Sequence, residues 1–171
     1  WNDGDNKKYK SSYFEKFKNV WCHGDFAKVT DDGGFVIYGR SDTTLNPGGV
    51  RLGTSEIYSV VEKFEEVKES IVVGQNWKND IRILLFIVLN KGFSLTEKIK
   101  EKIKMEIRSK VSPRHVPSKV LAVLEIPKTK NGKLVELAVK QTIGGEVIKN
   151  LEALSNPDSL KQFKNIPELD E

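Results

Sequence analysis

The apolar positions of this chain fall into two alternating rhythms, one of strands and one of helices. Two β-prone runs, Phe26-Ala-Lys-Val and Phe35-Val-Ile-Tyr, flank Asp31-Asp-Gly-Gly. An Asp/Gly-rich turn between such runs predicts a hairpin, because tight turns need positive φ angles. The rest of residues 1–40 reads as short strands and turns. Residues 41–53 are dense in Gly, Pro, Asn and Asp and read as a loop. Beyond it, Ile57, Val60, Val61 and Phe64 repeat at helical spacing, with Thr54 placed to cap the helix. Ser70 to Val73 and Ile81 to Leu89 predict strands, the second buried. Residues 95–111 carry Ile99, Ile103, Ile107 and Val111 on one stripe, which predicts an amphipathic helix stopped by Pro113 and Pro117. Lys119 to Ile126 predicts a third strand, and Leu134 to Thr142 a short helix ended by Gly144-Gly145.

This order divides the chain into a β-rich piece over residues 1–41, an α+β domain over 42–145 and a tail over 146–171. The α+β domain is expected to hold a short three-stranded sheet with flanking helices. The tail is polar, with sparse apolar anchors at Leu151, Leu154, Leu160 and Phe163, a pattern compatible with helix or with loop. In 171 residues, 38% hydrophobic content suffices for a packed core. The 30% charged content mixes both signs, and the net charge of +4 favours anions such as nucleotides without demanding nucleic acid. Cys22 stands alone, so no internal disulfide forms, which suits a reducing, cytoplasmic setting. The longest apolar run, Ile81 to Leu89, is too short and too charged to span a bilayer. A chain that opens Trp-Asn-Asp-Gly-Asp, with no initiator Met, is expected to be part of a longer protein.

Three segments could carry chemistry. In His23-Gly24-Asp25, a Gly beside an Asp lets a carboxylate approach a ligand, and two carboxylate oxygens suit a pair of ribose hydroxyls. The same residues also make an ordinary turn. Gly39-Arg40-Ser41-Asp42 is followed by Asn46-Pro-Gly-Gly-Val-Arg51-Leu-Gly53, two arginines around a flexible loop. Arginine clamps phosphate or sugar oxygens in bidentate fashion, yet surface arginines beside a turn read the same way. In Pro127-Lys-Thr-Lys-Asn-Gly-Lys133, the lysine could deliver a mobile charge to phosphate or carboxylate oxygens, or be an exposed residue at a hairpin tip. The basic helix 98–110 is interrupted by Glu101 and Glu106 and reads as a solvated face. His23 and His115 are isolated, so no metal-ligand spacing exists, and there is no phosphate-loop or dinucleotide fingerprint.

In order and spacing, Gly24-Asp25, Gly39-Arg40-Ser41-Asp42, Gly49-Val50-Arg51 and Pro127 to Lys133 together resemble the adenylate-forming superfamily of acyl-CoA synthetases, luciferase and peptide-synthetase adenylation domains. The resemblance covers nearly the whole chain. It implies a small C-terminal domain of that superfamily, preceded by a β-rich remnant of the large N-terminal AMP-binding domain. It further implies that Asp25 accepts the ATP ribose hydroxyls, that Arg40 assists there and that Arg51 contacts phosphate. Asp42 would be the hinge. Lys133 would be catalytic, bridging substrate carboxylate and α-phosphate. Gly49 and Arg108 would meet CoA, at its pantetheine and nucleotide ends.

The run Leu45-Asn-Pro-Gly-Gly-Val-Arg-Leu-Gly-Thr-Ser-Glu-Ile-Tyr resembles the acetyl-CoA and acetoacetyl-CoA synthetase branch, and the tail resembles the extension of the acetoacetyl branch. The Leu-Val-Glu-Leu that follows Lys133, where many relatives carry an Arg, points the same way. The implied activity is an AMP-forming ligase joining acetoacetate to CoA with ATP and Mg²⁺, the Mg²⁺ site lying outside this chain. The partners would be these small molecules and the N-terminal domain, with neither nucleic acid nor membrane. The chain alone is expected to be inactive. Two rival readings remain: the same family acting on acetate or another short acid, and a non-catalytic basic binding module.

Overall fold

The computed structural model describes residues 3–148 and 150–170. The chain divides into two compact units, Trp1–Asp42 and Thr43–Glu171.

The first unit contains the expected hairpin. Strand β1 (Asp25–Val29) pairs antiparallel with β2 (Phe35–Arg40), with Asp25 opposite Arg40 and Val29 opposite Phe35. A helix, α1 (Lys7–Tyr13), replaces the strands and turns expected there. The cause is local capping. Asp3 accepts the backbone N–H groups of Lys8 and Tyr9 at 3.0 and 2.9 Å, and Asp5 accepts that of Lys7 at 3.2 Å. Those are the donors a first helical turn leaves unpaired. Tyr9, Tyr13, Phe14 and Trp21 cluster beside it, with the Tyr13 and Trp21 rings stacked at 4.1 Å.

The second unit is built on a three-stranded sheet in the order β3-β4-β5. Strands β3 (Val67–Trp77) and β4 (Asp80–Leu89) form a long hairpin. Its two-residue turn places Lys78 and Asn79 at φ 47° and 65°, the conformation that matches strand twist. Strand β5 (Lys119–Ala122) runs parallel to β4, connected through helix α3 (Glu97–Lys110). β4 is buried on both faces. Its Ile83, Leu85 and Ile87 join the core beneath α2 (Thr54–Val61) and α3, while Leu84, Phe86 and Val88 join a second core on the opposite face. Period-two alternation therefore feeds two cores rather than one core and solvent.

Helix α2 buries Ile57, Val60 and Val61, as its spacing predicts. Its cap is Gly53, one residue before the predicted Thr54, and the Glu56 carboxylate reaches back to the Gly53 N–H at 3.3 Å. In α3, Thr96 Oγ1 caps Ile99 N at 3.3 Å, and Ile103 and Ile107 are fully buried. β5 stops at Ala122 instead of Ile126, because the N–H of Leu124 turns to Gln162 Oε1 at 2.6 Å and leaves the ladder.

The tail settles into neither a long helix nor an open loop. It runs as short 3₁₀ turns over Leu151–Ala153, Pro157–Phe163 and Pro167–Leu169. Leu154, Leu160, Phe163 and Leu169 pack with α4 (Glu136–Ile143) on the second face of the sheet. The Phe163 ring meets Phe86 edge-on at 5.0 Å. Arg82 fastens the end of this segment, donating to the Leu169 carbonyl and to Gln75 Oε1 while stacking on Trp77 at 3.8 Å.

Candidate functional site

Among the candidate residues of the first unit, Asp25, Arg40 and Asp42 come together. Arg40 Nε and Nη2 donate to Asp42 Oδ1 and Oδ2 at 3.4 and 3.2 Å, and Nη1 lies 4.0 Å from Asp25 Oδ1. Nη1 also donates to the His23 carbonyl at 3.3 Å. The hydrogen bond to Asp42 raises the pKa of the Arg40 guanidinium above its ordinary value, against an opposing effect of burial. Two features favour glycine at position 24. Its φ is +87°, and a Cβ would come within 3.3 Å of Arg40 Nη2. His23 Nδ1 closes on Asp25 Oδ2 in a short contact, a partner the sequence reading did not assign. The cluster is a carboxylate held on a strand end beside a guanidinium. Such a pair can accept vicinal hydroxyls and donate to a neighbouring oxygen.

In the second unit, the loop holding Gly49 and Arg51 is closed at its base. Leu45 and Leu52 exchange backbone hydrogen bonds at 3.2 and 2.9 Å, and both side chains are buried. Gly48 and Gly49 sit at φ +57° and +78°, a consecutive left-handed pair that glycine adopts without strain. Asp80, from the β3–β4 turn, accepts the Gly48 N–H with both oxygens at 2.9 and 3.1 Å. Those bonds, and one from the Ile81 N–H, lower the Asp80 pKa below its ordinary value. Arg51 is exposed on this loop.

Lys133 ends a tight turn in which Thr129 N donates to Lys133 O at 2.9 Å and Lys133 N donates to Thr129 Oγ1 at 3.1 Å. The side chain is exposed, and among the described residues its ammonium forms no ion pair. The turn is held from below. Lys130 N donates to Ala153 O at 3.1 Å, Ser155 N to Lys128 O at 2.9 Å, and Lys128 N to Asn156 Oδ1 at 2.9 Å. Just beyond it, Glu136 Oε1 accepts the Tyr58 hydroxyl at 2.5 Å, and Tyr58 in turn accepts the Val72 N–H at 3.0 Å. Burial, followed by the Glu136 charge, pushes the Tyr58 pKa well above its ordinary 10.0.

Arg108 is exposed in the last turn of α3. Along that helix Lys100, Lys104 and Lys110 pair with Glu97, Glu101 and Glu106, so the basic run is offset by carboxylates. Beyond its end, the buried His115 joins Ser112 Oγ at 2.8 Å and Glu56 Oε2 at 3.0 Å. The His115–Glu56 and Gly48–Asp80 links escaped the sequence reading, since their partners lie 59 and 32 positions apart with no local signature. Among the described residues no group of His, Cys, Asp and Glu could hold a metal ion, and no helix is long and apolar enough to cross a membrane.

Residues 56–133 match the AMP-binding enzyme C-terminal domain. The chain is 56% identical over 169 residues to an acetoacetyl-coenzyme A synthetase of Rhizobium meliloti, covering 99% of this chain and 26% of that protein. It is 48% identical to an acetoacetyl-CoA synthetase of Gallus gallus, again over 99% of this chain and 26% of the relative. An acetoacetyl-CoA synthetase structure from Streptomyces lividans superposes with a TM-score of 0.89 at 37% identity, covering the whole of this chain and 26% of that one. The chain thus spans about a quarter of the length of these relatives.

Proposed function

We propose that the chain, whose residues 56–133 match the AMP-binding enzyme C-terminal domain, is the C-terminal part of an ATP-dependent ligase that makes acetoacetyl-CoA. The observation that carries the substrate is the identity to acetoacetyl-CoA synthetases, which runs through 99% of the chain and so includes the tail. The acid is first joined to AMP, with loss of pyrophosphate, and the CoA thiol then displaces AMP.

In the first step a carboxylate attacks a phosphate, anion upon anion, so the barrier is largely electrostatic. A cation aimed at the charge that develops lowers it. Lys133 is the proposed catalytic cation. Its exposed position on a tight turn, fixed from beneath by residues 153–156, supports that role. Asp25 would take the ribose hydroxyls, with Arg40 beside it, and their ion cluster supports the assignment. Arg51 would meet phosphate. Asp42 would be the hinge, engaged by Arg40 in this conformation. For the second step, Gly49 and Arg108 would contact CoA. A left-handed glycine pair leaves a smooth backbone for the narrow pantetheine arm, and an arginine at a helix end suits the nucleotide phosphates.

The acyl pocket, the phosphate loop and the Mg²⁺ site would belong to the proposed N-terminal domain. The cytoplasm is the proposed compartment. The test is product formation by the full-length protein given ATP, CoA and either acetoacetate or acetate. Acetoacetyl-CoA, AMP and pyrophosphate are expected, with acetoacetate preferred. A preference for acetate would move the protein to the neighbouring substrate, and inertness with every short acid would overturn the ligase reading.

A further inference from the structure

His115 has no part in the chemistry just described, yet it is a buried imidazole with a partner on each ring nitrogen. Nε2 faces a carboxylate, an acceptor, so Nε2 carries a proton. In the neutral ring Nδ1 then accepts from the Ser112 hydroxyl, 2.8 Å away. Ser112 Oγ has a lone pair left for the Arg114 N–H at 3.2 Å. On the other side, Glu56 Oε2 accepts both His115 at 3.0 Å and the Gly53 N–H at 3.3 Å. An unbroken chain of hydrogen bonds thus runs from the turn after α3 to the end of the glycine loop. A phenyl ring is similar in shape though somewhat larger, and it would leave both Ser112 and Glu56 without this partner.

We infer that His115 is a positioning residue for the CoA-dependent step, tying the segment after α3 to the glycine loop so that both meet one CoA molecule in fixed register. The inference rests on the proposed reading of Gly49 and Arg108 as CoA contacts. CoA is long and flexible, and a surface that must order itself on binding loses affinity to that ordering. A buried, two-sided imidazole fixes the spacing of the two segments beforehand. Of the residues assigned to adenylation, Lys133, Asp25 and Arg40 lie outside both segments, and Arg51 lies on a glycine loop that the Leu45–Leu52 bonds and Asp80 also hold, so the histidine should bear mainly on the CoA step.

The experiment uses the full-length enzyme and two readouts: the KM for CoA in thioester formation, and ATP–pyrophosphate exchange. His115→Phe should raise the KM for CoA about tenfold and leave exchange within about twofold. His115→Gln, which still offers an N–H to Glu56, should recover most of the loss. An unchanged KM for CoA would overturn the inference, and so would an equal fall in both half-reactions, the mark of a residue that holds the fold alone. Should His115→Phe fail to accumulate as soluble protein, Glu56→Ala cuts the same chain from its half-exposed end and is judged by the same two outcomes. Arg108→Ala separates the premise from the inference. If it leaves the KM for CoA unchanged, the CoA assignment itself fails. If it raises that KM while His115→Phe does not, the role of His115 alone is refuted.

Discussion

Asp80 holds the N–H of Gly48 with both of its carboxylate oxygens, across 32 positions of sequence. A backbone donor in the middle of a glycine loop is thereby fixed to the rigid turn of the central hairpin. The bonds from Gly48 and Ile81 lower the Asp80 pKa below 3.8, so the folded state favours the ionised form. This stabilising contribution is present above the unfolded pKa and is lost as pH falls through the lower, folded one. Asp80→Ala should abolish that acid dependence and speed amide exchange at Gly48 several-fold. Exchange at Gly48 that matches the parent chain would show that the loop holds its shape unaided.

Lys133→Ala in the full-length enzyme should lower adenylation by about two to three orders of magnitude, the usual cost of losing a well-placed charge in a closed site. Thioester formation from supplied acyl-adenylate should be largely spared. Lys133→Arg should not rescue, because a planar guanidinium does not replace a compact ammonium. Pyrophosphate exchange and acyl-CoA release, measured separately, decide the matter. Equal losses in both would place the lysine in both steps or in the fold.

Phe163→Ala should destabilise this chain by about 3–5 kcal/mol, the range for removing a fully buried aromatic side chain. Phe163 is 0% exposed and packs edge-on against Phe86. Denaturant unfolding measures it. A change under about 1 kcal/mol would mean that the tail contributes little to the second core.

Tyr58 should ionise late. Its hydroxyl donates to Glu136 and accepts from Val72 N, and its folded pKa lies well above 10.0. The resulting stability is full below the unfolded pKa and is lost as pH rises through the folded one. In an ultraviolet titration of the four tyrosines, one should ionise after the others or only as the chain unfolds, and Tyr58→Phe should remove that late step. Four coincident titrations would contradict the environment described here.

What the sequence made legible followed from periodicity and punctuation. Ile103 and Ile107 lie on the predicted stripe, the Asp31–Gly34 turn closes the predicted hairpin, and residues 81–89 form a buried strand. The misreadings have physical causes. Helix α1 buries no residue, so no apolar stripe announces it, and the aspartates that cap it look like turn residues. The tail anchors follow no single period because 3₁₀ turns interrupted by prolines reset the phase. In the candidate site, the order of short motifs carried the reading of Asp25, Arg40, Arg51 and Lys133. Asp80, Glu56 and His115 act by holding other residues, and pairs so distant in sequence become visible only once the chain is folded.

Synthesis from the N-terminus gives the two-sided burial of β4 a temporal consequence. Strands β3 to β5 and helix α3 emerge from the ribosome before Leu154, Leu160, Phe163 and Leu169 do. The face carrying Ile71, Val73, Leu84 and Phe86 therefore stays partly bare until those later residues arrive. During that interval the nascent domain shows a sticky apolar surface, the kind of patch that chaperones cover and that misassembly exploits. A chain cut between Gly145 and Leu154 would keep a half-clad sheet.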